Sequence, residues 1–276
     1  MGKKNPAELK NTALITGASQ GIGYAIAKEL AKRSFDLYLV SLPGQNLENL
    51  ALDLSREFNV RINFMEANLD QKENCQKIFD DIKGRHIPVN MLVNNAGIGS
   101  AGIFEVFPEA FYEKQLNLNI NAVVYLTRLF LPLLQQQPVS WLLNVSSLGA
   151  FFHMPHKEVY IASKSFILSF TKSLQNRFRG TELNISVLCP GPVNTNPRLH
   201  EANSRLTGMA KKTVLSAEEV ARIAIKELLA GKEVIIPGRL NRFLLTINRI
   251  VPAFIRNHLI RKEMLKQSDI GHELLT

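Results

Sequence analysis

Short apolar segments alternate with longer amphipathic segments along most of this 276-residue chain. The apolar segments have the length and composition of buried parallel strands, and they span residues 12–16, 35–41, 61–66, 91–94, 139–145, 184–188 and 231–237. The segments between them have apolar residues at helical spacing, over residues 24–33, 46–59, 71–84, 111–136, a helix ending near 179, and 216–230. This alternation predicts an α/β fold, doubly wound, with a seven-stranded parallel sheet and helices on both faces.

Two segments depart from the alternation. Residues 196–213 are polar, contain Gly208 and show no clear period, which predicts a loop that serves as a substrate lid. Beyond residue 238, apolar residues follow helical spacing while Arg242, Arg249 and Arg256 recur every seven residues on the opposite side. The chain is therefore interpreted as one domain, 1–238, with a basic amphipathic helical C-terminal extension, 239–276, that Pro252 breaks or kinks.

The charge of the chain is concentrated in that extension. The net charge is +9, and the stretch 239–266 holds seven Lys or Arg and one Glu. A body that is at most mildly basic argues against nucleic-acid binding. The extension has two possible roles. It can lie on an anionic membrane through residues 240–262, or it can cover the pocket or a subunit interface with its arginines in water, which is the favoured interpretation.

Composition indicates a soluble globular protein, with 46% hydrophobic and 21% charged residues. No run of 18 apolar residues occurs, so no membrane-spanning helix is expected, and the basic start of the chain lacks an apolar signal core. Cys75 and Cys189 are too few for a disulfide framework and are interpreted as reduced core thiols. We therefore expect a cytoplasmic protein, with membrane association as a possibility.

Tyr160 and Lys164 are four residues apart and lie on one face of a predicted helix. A lysine cation beside a phenol favours the phenolate, which would make Tyr160 a usable proton donor and acceptor near neutral pH. Ser147 lies thirteen positions upstream, where the fifth predicted strand ends. These three side chains are candidate catalytic residues.

Three glycines, Gly17, Gly21 and Gly23, connect the first strand to the first helix as G-x-x-x-G-x-G. Glycines let the backbone turn tightly and approach a pyrophosphate, and the helix N-terminus presents N–H groups and a positive dipole end. This arrangement predicts a dinucleotide-binding loop.

Together the glycine loop, Ser147 and the Tyr160–Lys164 pair resemble the short-chain dehydrogenase/reductase family, over residues 11–237. The resemblance implies a Rossmann-type fold and hydride transfer between NAD(P) and a carbon bearing oxygen. It implies that Tyr160 donates the proton, Ser147 hydrogen-bonds the reacting oxygen, and Lys164 favours the phenolate and binds the nicotinamide ribose. Asn119 is implied to hold a water that links Lys164 to solvent.

The same resemblance implies a set of residues along the cofactor. Asn68 replaces the usual Asp near the adenine, and the backbone of the 190–195 segment contacts the nicotinamide carboxamide. The full set is Gly17, Ser19, Gln20, Gly21, Ile22, Gly23, Ser41, Leu42, Asn68, Leu69, Asn95, Ala96, Gly97, Tyr160, Lys164, Pro190, Gly191, Val193 and Thr195. The end of the second strand has neither the acid typical of NAD binding nor the base typical of NADP binding. NADP(H) is slightly favoured because no acid repels its phosphate, and NAD(H) stays open.

The substrate is expected to be an apolar ketone, aldehyde or alcohol, lipid-, steroid- or acyl-like. Ile98, Phe152, Met154 and Pro192 are candidate pocket residues, although Phe152 and Met154 could equally be core. Alternatives are a 3-ketoacyl reductase acting on an acyl carrier and a non-catalytic nucleotide-binding regulator. No metal site is expected. The resemblance also implies a homodimer or homotetramer formed through helix 111–136 and the catalytic helix.

Overall fold

The structure, a computed structural model, describes residues 11–204, 206 and 208–251. The strands are β1 (Thr12–Thr16), β2 (Asp36–Ser41), β3 (Ile62–Glu66), β4 (Val89–Asn94), β5 (Ser140–Val145), β6 (Leu183–Leu188), β7 (Val193–Asn194), β8 (Leu215–Ser216) and β9 (Val234–Ile235). The helices are α1 (Gly21–Ala31), α2 (Leu47–Phe58), α3 (Lys72–Gly84), α4 (Glu109–Leu116), α5 (Ala122–Gln135), α6 (Glu158–Arg177), α7 (Pro197–Ser204), α8 (Gly208–Lys212), α9 (Ala217–Leu229) and α10 (Arg239–Ile250).

Seven of the strands form one parallel sheet, as predicted, and their order in the sheet is β3-β2-β1-β4-β5-β6-β9. Every residue of β1, β2, β4 and β5 is buried, which explains why these strands are nearly continuous apolar runs in the sequence. The strand order reverses between β1 and β4. In a doubly wound sheet that reversal opens a crevice at the carboxyl ends of the strands, where ligands bind.

Helices cover both faces of the sheet and enclose two large apolar clusters. Alternate residues of each strand face opposite clusters, so Ala13 and Ile15 contact one and Leu14 the other. The first cluster is closed by α1, α2 and α9, and the second by α3 and α5. Cys75 and Cys189 are both free and buried in the core.

The prediction of a loop over residues 196–213 was wrong. The segment folds into α7 and α8, and the signal was present in the sequence. The Asn196 side chain accepts a hydrogen bond from the Leu199 N–H at 2.8 Å, and Pro197 is the first helical residue. An Asn cap followed by Pro is a common helix start, because Asn satisfies a free N–H and Pro has none to satisfy.

The helix predicted over 111–136 is continuous but irregular. It consists of α4, a π-helical turn (Asn117–Asn121) and α5. Its stretch Glu109–Gln135 contains an 18-residue window with a mean hydropathy of 1.2, and the stretch is long and apolar enough, by length and composition, to cross a membrane. No such helix was expected, because polar residues interrupt its apolar runs. Leu126 and Phe130 of this helix are fully buried against the sheet, so core packing accounts for part of its apolar character.

The C-terminal extension begins with α10, at the predicted position. Asn241 and Leu245 are buried on one side of this helix, whereas Phe243 and Ile247 are exposed on the other. The helix ends at Ile250, and the rest of the predicted amphipathic segment, including Pro252, lies outside the described residues.

Candidate active site

The glycine loop after β1 leaves no room for side chains. Gly17 and Gly21 have φ angles of 65° and 57°, in the left-handed region that favours glycine. A Cβ on Gly23 would lie 2.0 Å from the Gly17 carbonyl oxygen, and one on Gly21 would lie 2.7 Å from Thr195 Cβ. Gln20 makes no side-chain cap at the start of α1, so the first-turn N–H groups are left to a ligand. These residues fit the pyrophosphate of a dinucleotide.

Asn95, at the exit of β4, holds this loop against the centre of the sheet. Its Nδ2 donates to the carbonyl oxygens of Thr16 and Gly17 at 2.9 and 3.1 Å. The backbone N–H groups of Asn95 and Ala96 donate to Thr16 Oγ1 at 3.0 and 3.1 Å. The Asn95 side chain therefore holds the glycine loop against the end of β4.

Asn119 lies in the π-helical turn and is fully buried. Its Oδ1 accepts from the Ile98 N–H at 2.9 Å, and its Nδ2 donates to the Ile98 carbonyl at 2.9 Å and to Ser163 Oγ at 3.1 Å. A Cβ on Gly97 would lie 3.0 Å from Asn119 Oδ1 and 3.3 Å from Lys164 Nζ. The π-helical turn thus places Asn119 beside Lys164, below the loop that begins at Gly97. Such turns are rare and frequently lie at functional sites.

The two serines that end β5 have different environments. Ser146 is buried, and its hydroxyl donates to the Lys164 carbonyl at 2.7 Å. Ser147 is partly exposed, its Oγ accepts from the Gly149 N–H at 3.0 Å, and its hydroxyl is near enough to Tyr160 to lower the pKa of the phenol. Ser147 is therefore the serine that faces the tyrosine.

Lys164 is 6% exposed, and its Nζ donates to the Val145 carbonyl at 3.0 Å. Burial lowers the pKa of Lys164 to about 8, against a smaller raising influence of the Cys189 thiol. Burial raises the pKa of Tyr160, and the nearby Ser147 hydroxyl lowers it by a smaller amount. The net direction for Tyr160 is opposite to the one predicted from the Tyr-x-x-x-Lys spacing, because desolvation of the phenol outweighs the stabilisation of its anion.

The segment after β6 comes close to both the glycine loop and the serine loop. The Leu148 N–H donates to the Pro190 carbonyl at 2.8 Å. Thr195 lies against the glycine loop, so close that a side chain on Gly21 would clash with it. Asn203 of α7 donates from Nδ2 to Asn194 Oδ1 at 2.8 Å, which attaches the predicted lid to β7. The 190–195 segment is thereby fixed at the carboxyl edge of the sheet, next to Ser147.

The rim of the site near Tyr160 is formed by two loops joined by a hydrogen bond from the Gly102 N–H to the His156 carbonyl at 2.9 Å. A Cβ on Gly99 would lie 3.8 Å from the Tyr160 ring. Phe151 and Ile98 each pack against a core cluster. All four candidate pocket residues, Ile98, Phe152, Met154 and Pro192, are partly exposed. In the part of the chain that the structure describes, no group of three or more His, Cys, Asp or Glu could hold a metal.

A buried polar chain, not found from the sequence, supports the site from below. Asn94 Nδ2 donates to Thr127 Oγ1 at 3.1 Å and to Asn144 Oδ1 at 2.9 Å, and Asn144 Nδ2 donates to Thr171 Oγ1 at 3.0 Å. The chain connects α5, β4, β5 and α6. It fixes the ends of the two strands that carry Asn95 and Ser147.

The far end of the crevice, where β2 and β3 end, has a feature that the sequence analysis missed. Ser41 Oγ donates to the Leu42 carbonyl at 3.2 Å, and Leu42 is exposed. The Gly44 N–H donates to the Glu66 carboxylate at 3.3 Å, and Glu66 pairs in register with Ser41. An acidic side chain thus lies beside the end of β2, although it belongs to β3. Asn68 Oδ1 accepts from the Asp70 N–H at 3.3 Å.

Known proteins with similar sequence or structure agree with this geometry. The family model described as short chain dehydrogenase matches residues 11–205. The chain is 32% identical over 222 residues to ketoacyl reductase HetN of Nostoc sp., covering 80% of this chain and 72% of that protein. It is 31% identical over 249 residues to human 17-beta-hydroxysteroid dehydrogenase type 3, covering 85% and 80%.

A solved short-chain dehydrogenase from Sphingobium yanoikuyae in complex with NADPH has a similar fold, with a TM-score of 0.74 at 24% identity, covering 83% of this chain and 88% of that one. The chain belongs to the short chain dehydrogenase family. It is an NAD(P)-dependent oxidoreductase that interconverts an alcohol with a ketone or aldehyde.

Proposed function

We propose that the chain reduces an apolar ketone at a site formed by Ser147, Tyr160, Lys164 and Asn119. The observation that carries the proposal is the convergence of three side chains at the carboxyl edge of the sheet. Tyr160 and Lys164 lie one turn apart on α6, and the Ser147 hydroxyl at the end of β5 is near enough to lower the pKa of Tyr160. When bound, the reduced nicotinamide supplies the hydride that the carbonyl carbon receives. Tyr160 donates its proton to the carbonyl oxygen, and Ser147 hydrogen-bonds that oxygen as negative charge develops.

Protonation of Tyr160 in the resting site suits this direction of reaction. Burial raises the pKa of the phenol, so the phenol retains its proton at neutral pH until a carbonyl oxygen accepts it. Lys164 then stabilises the phenolate, and a proton returns from solvent through Lys164 and a water near Asn119. The Asn119 side chain already bonds Ile98 and Ser163, so the remaining acceptor capacity of its Oδ1 is what is left for that water.

We propose NADP(H) as the preferred cofactor, held by the residues that the resemblance implies from the glycine loop to Thr195. Support comes from the end of β2, which has no acidic residue at Ser41 or Leu42. The Glu66 carboxylate on the neighbouring strand would repel the 2′-phosphate of NADP(H). Because Glu66 is exposed, dissolved salt screens this repulsion and reduces its effect on binding.

The partly exposed apolar side chains at Ile98, Phe152 and Met154 support a lipid-, steroid- or acyl-like substrate. The names of the relatives include a hydroxysteroid dehydrogenase and very-long-chain 3-oxoacyl-CoA reductases, which act on substrates of these kinds. A 3-oxoacyl thioester is the second candidate. The complete Ser147, Tyr160 and Lys164 set argues against a non-catalytic regulator.

The test is a fluorescence titration of NADPH and NADH against the purified protein at matched salt, followed by turnover with a panel of steroid, long-chain and 3-oxoacyl ketones. We expect tighter binding of NADPH and turnover of at least one apolar ketone. Binding of neither dinucleotide would contradict the proposal, and equal turnover of small polar ketones would contradict its substrate class.

We further propose peripheral membrane contact through the exposed side of α10, in place of the cover over the pocket or subunit interface that the sequence analysis favoured. Phe243 is 58% exposed and Ile247 is 39% exposed, one turn apart, on a helix whose first residue is an exposed arginine. The full-length protein should float with anionic vesicles, and the double variant Phe243→Ser/Ile247→Ser should not. Val106→Ser, which alters an equally exposed apolar residue elsewhere, serves as the control. Equal flotation of all three proteins would refute membrane contact through α10.

We propose a cytoplasmic homo-oligomer whose interface includes the exposed side of α6. Phe166 is 42% exposed and stacks on Phe170 with ring centroids 6.0 Å apart, an apolar pair that a second subunit would cover. Light scattering coupled to size exclusion should give a dimer or tetramer for the wild-type protein and a smaller species for Phe166→Asp. A monomeric wild-type protein would contradict this proposal.

A further inference from the structure

Asn241, the third residue of α10, is a polar side chain that is only 1% exposed. Its Nδ2 donates to the Pro237 carbonyl at 2.9 Å and to the Thr213 carbonyl at 3.3 Å. Pro237 follows β9, and Thr213 follows α8. One amide group therefore joins the start of the C-terminal helix to the last strand and to the end of the predicted lid.

The same amide fills the space beside Gly191. A Cβ on Gly191 would lie 2.8 Å from Asn241 Nδ2 and 3.0 Å from both Cγ and Oδ1. Gly191 does not have a positive φ, so its backbone conformation does not require glycine. The absence of a side chain at this position is explained by the close approach of Asn241.

Gly191 belongs to the segment that is held between the site and the lid. The Leu215 N–H donates to the Pro192 carbonyl at 3.1 Å, and β7 pairs with β8 directly after this segment. Asn241 thus lies where the loop after β6, the end of the lid and the start of α10 meet. Its Oδ1 has no hydrogen-bond partner among the described residues.

From these contacts we infer that Asn241 is a positioning residue for the nicotinamide end of the site. It holds the backbone around Gly191 at a fixed distance from Ser147 and fixes the end of the lid, although it contacts neither substrate nor reacting atoms. The inference rests on the proposed function, in which the 190–195 segment contacts the nicotinamide. It also makes α10 a part of the catalytic unit rather than an independent tail.

A comparison of whole and truncated ligands separates positioning from simple stabilisation. NADPH or NADH, whichever the wild-type protein binds more tightly, reaches the Gly191 segment. The matching 2′-phospho-ADP-ribose or ADP-ribose lacks the nicotinamide and occupies only the glycine-loop end. Kd values for both ligands and the Tm are measured for the wild-type protein, Asn241→Ala, Gly191→Ala and the control Thr246→Ala, an exposed residue of the same helix.

Asn241→Ala should weaken dinucleotide binding about tenfold and leave binding of the truncated ligand within about twofold of wild type. Gly191→Ala should do the same because its methyl group displaces the amide. The double variant should bind the dinucleotide better than Gly191→Ala alone, since removal of the Asn241 amide makes room for that methyl group. Thr246→Ala should change neither Kd.

Parallel loss of both ligands, or unchanged binding of both, in the Asn241→Ala and Gly191→Ala variants would overturn the inference. Gly191→Ala keeps Asn241 and provides the same test if Asn241→Ala does not fold. Failure of the wild-type protein to bind either dinucleotide would contradict the proposed function instead. The two failures are distinguishable because binding to the wild-type protein is measured before any variant is tested.

Discussion

The buried ammonium of Lys164 should lower the stability of the native protein at neutral pH. One pKa unit corresponds to about 1.4 kcal/mol, so the decrease from 10.5 to about 8 represents about 3 kcal/mol at pH 7, where this lysine is charged in both native and unfolded states. Between the two pKa values the unfolded chain binds more protons at this position than the native protein. Stability therefore rises with pH over that range, and at about pH 9.5 only about 1 kcal/mol of the penalty is left.

Lys164→Met removes the charge and keeps most of the side-chain volume. The variant leaves the Val145 carbonyl without its donor, which costs about 1–2 kcal/mol. The net gain near pH 7 is then about 1–2 kcal/mol, or a Tm increase of about 2–8 °C for a chain of this size. Near pH 9.5 the cost of losing the hydrogen bond to the Val145 carbonyl about equals the gain from removing the buried ammonium. The two proteins should therefore unfold at about the same temperature.

Thermal unfolding followed by circular dichroism at both pH values, at matched ionic strength, measures this difference. Lys172→Met, which alters an exposed lysine of the same helix, is the control and should show no pH-dependent gain. A Lys164→Met variant less stable than wild type near pH 7, or a Tm difference that does not change with pH, would refute the reasoning. The variant should also be nearly inactive, because stability and activity oppose each other at this residue.

Two further predictions concern neighbouring residues and cofactor choice. Ser147→Ala should lower kcat by about 10²–10³. Its Tm should fall only slightly, because the bond that it loses from the Gly149 N–H is partly exposed. Ser146→Ala should mainly lower the Tm, because it removes the buried bond to the Lys164 carbonyl. Steady-state kinetics and thermal unfolding of both variants test this pair. A larger loss of kcat in Ser146→Ala than in Ser147→Ala would contradict the prediction. Glu66→Gln should raise the NADPH-to-NADH affinity ratio about two- to fivefold, because the carboxylate beside the end of β2 repels a 2′-phosphate. An unchanged ratio in paired titrations would show that Glu66 does not face the cofactor.

Features that depend on neighbouring residues in the chain were predicted well. Strands β1, β2, β4 and β5 have the nearly continuous apolar runs that burial on both faces favours, and the succession of strands and helices along the chain follows from their alternation. The glycine loop was also identified from the sequence, because Gly17, Gly21 and Gly23 are close together and their spacing reflects local backbone geometry.

Features that depend on contacts distant in sequence were not found. The Asn94–Asn144 bond joins residues 50 positions apart, and Asn241 fills space beside a glycine 50 positions upstream, so no local pattern marks either one. The π-helical turn at Asn119 was missed because its residues fit an ordinary helix in sequence. The direction of the Tyr160 pKa was wrong for a similar reason, since helical spacing gives the distance to Lys164 but not the burial of the phenol.

The central claim is that Tyr160 donates the proton in carbonyl reduction, and Tyr160→Phe tests it most directly. Turnover of a ketone accepted by the wild-type protein is followed by loss of NAD(P)H absorbance, and cofactor Kd is measured for both proteins. The account predicts a decrease in kcat of about 10²–10⁴ with cofactor Kd within about twofold of wild type. Near-normal turnover by Tyr160→Phe would contradict it.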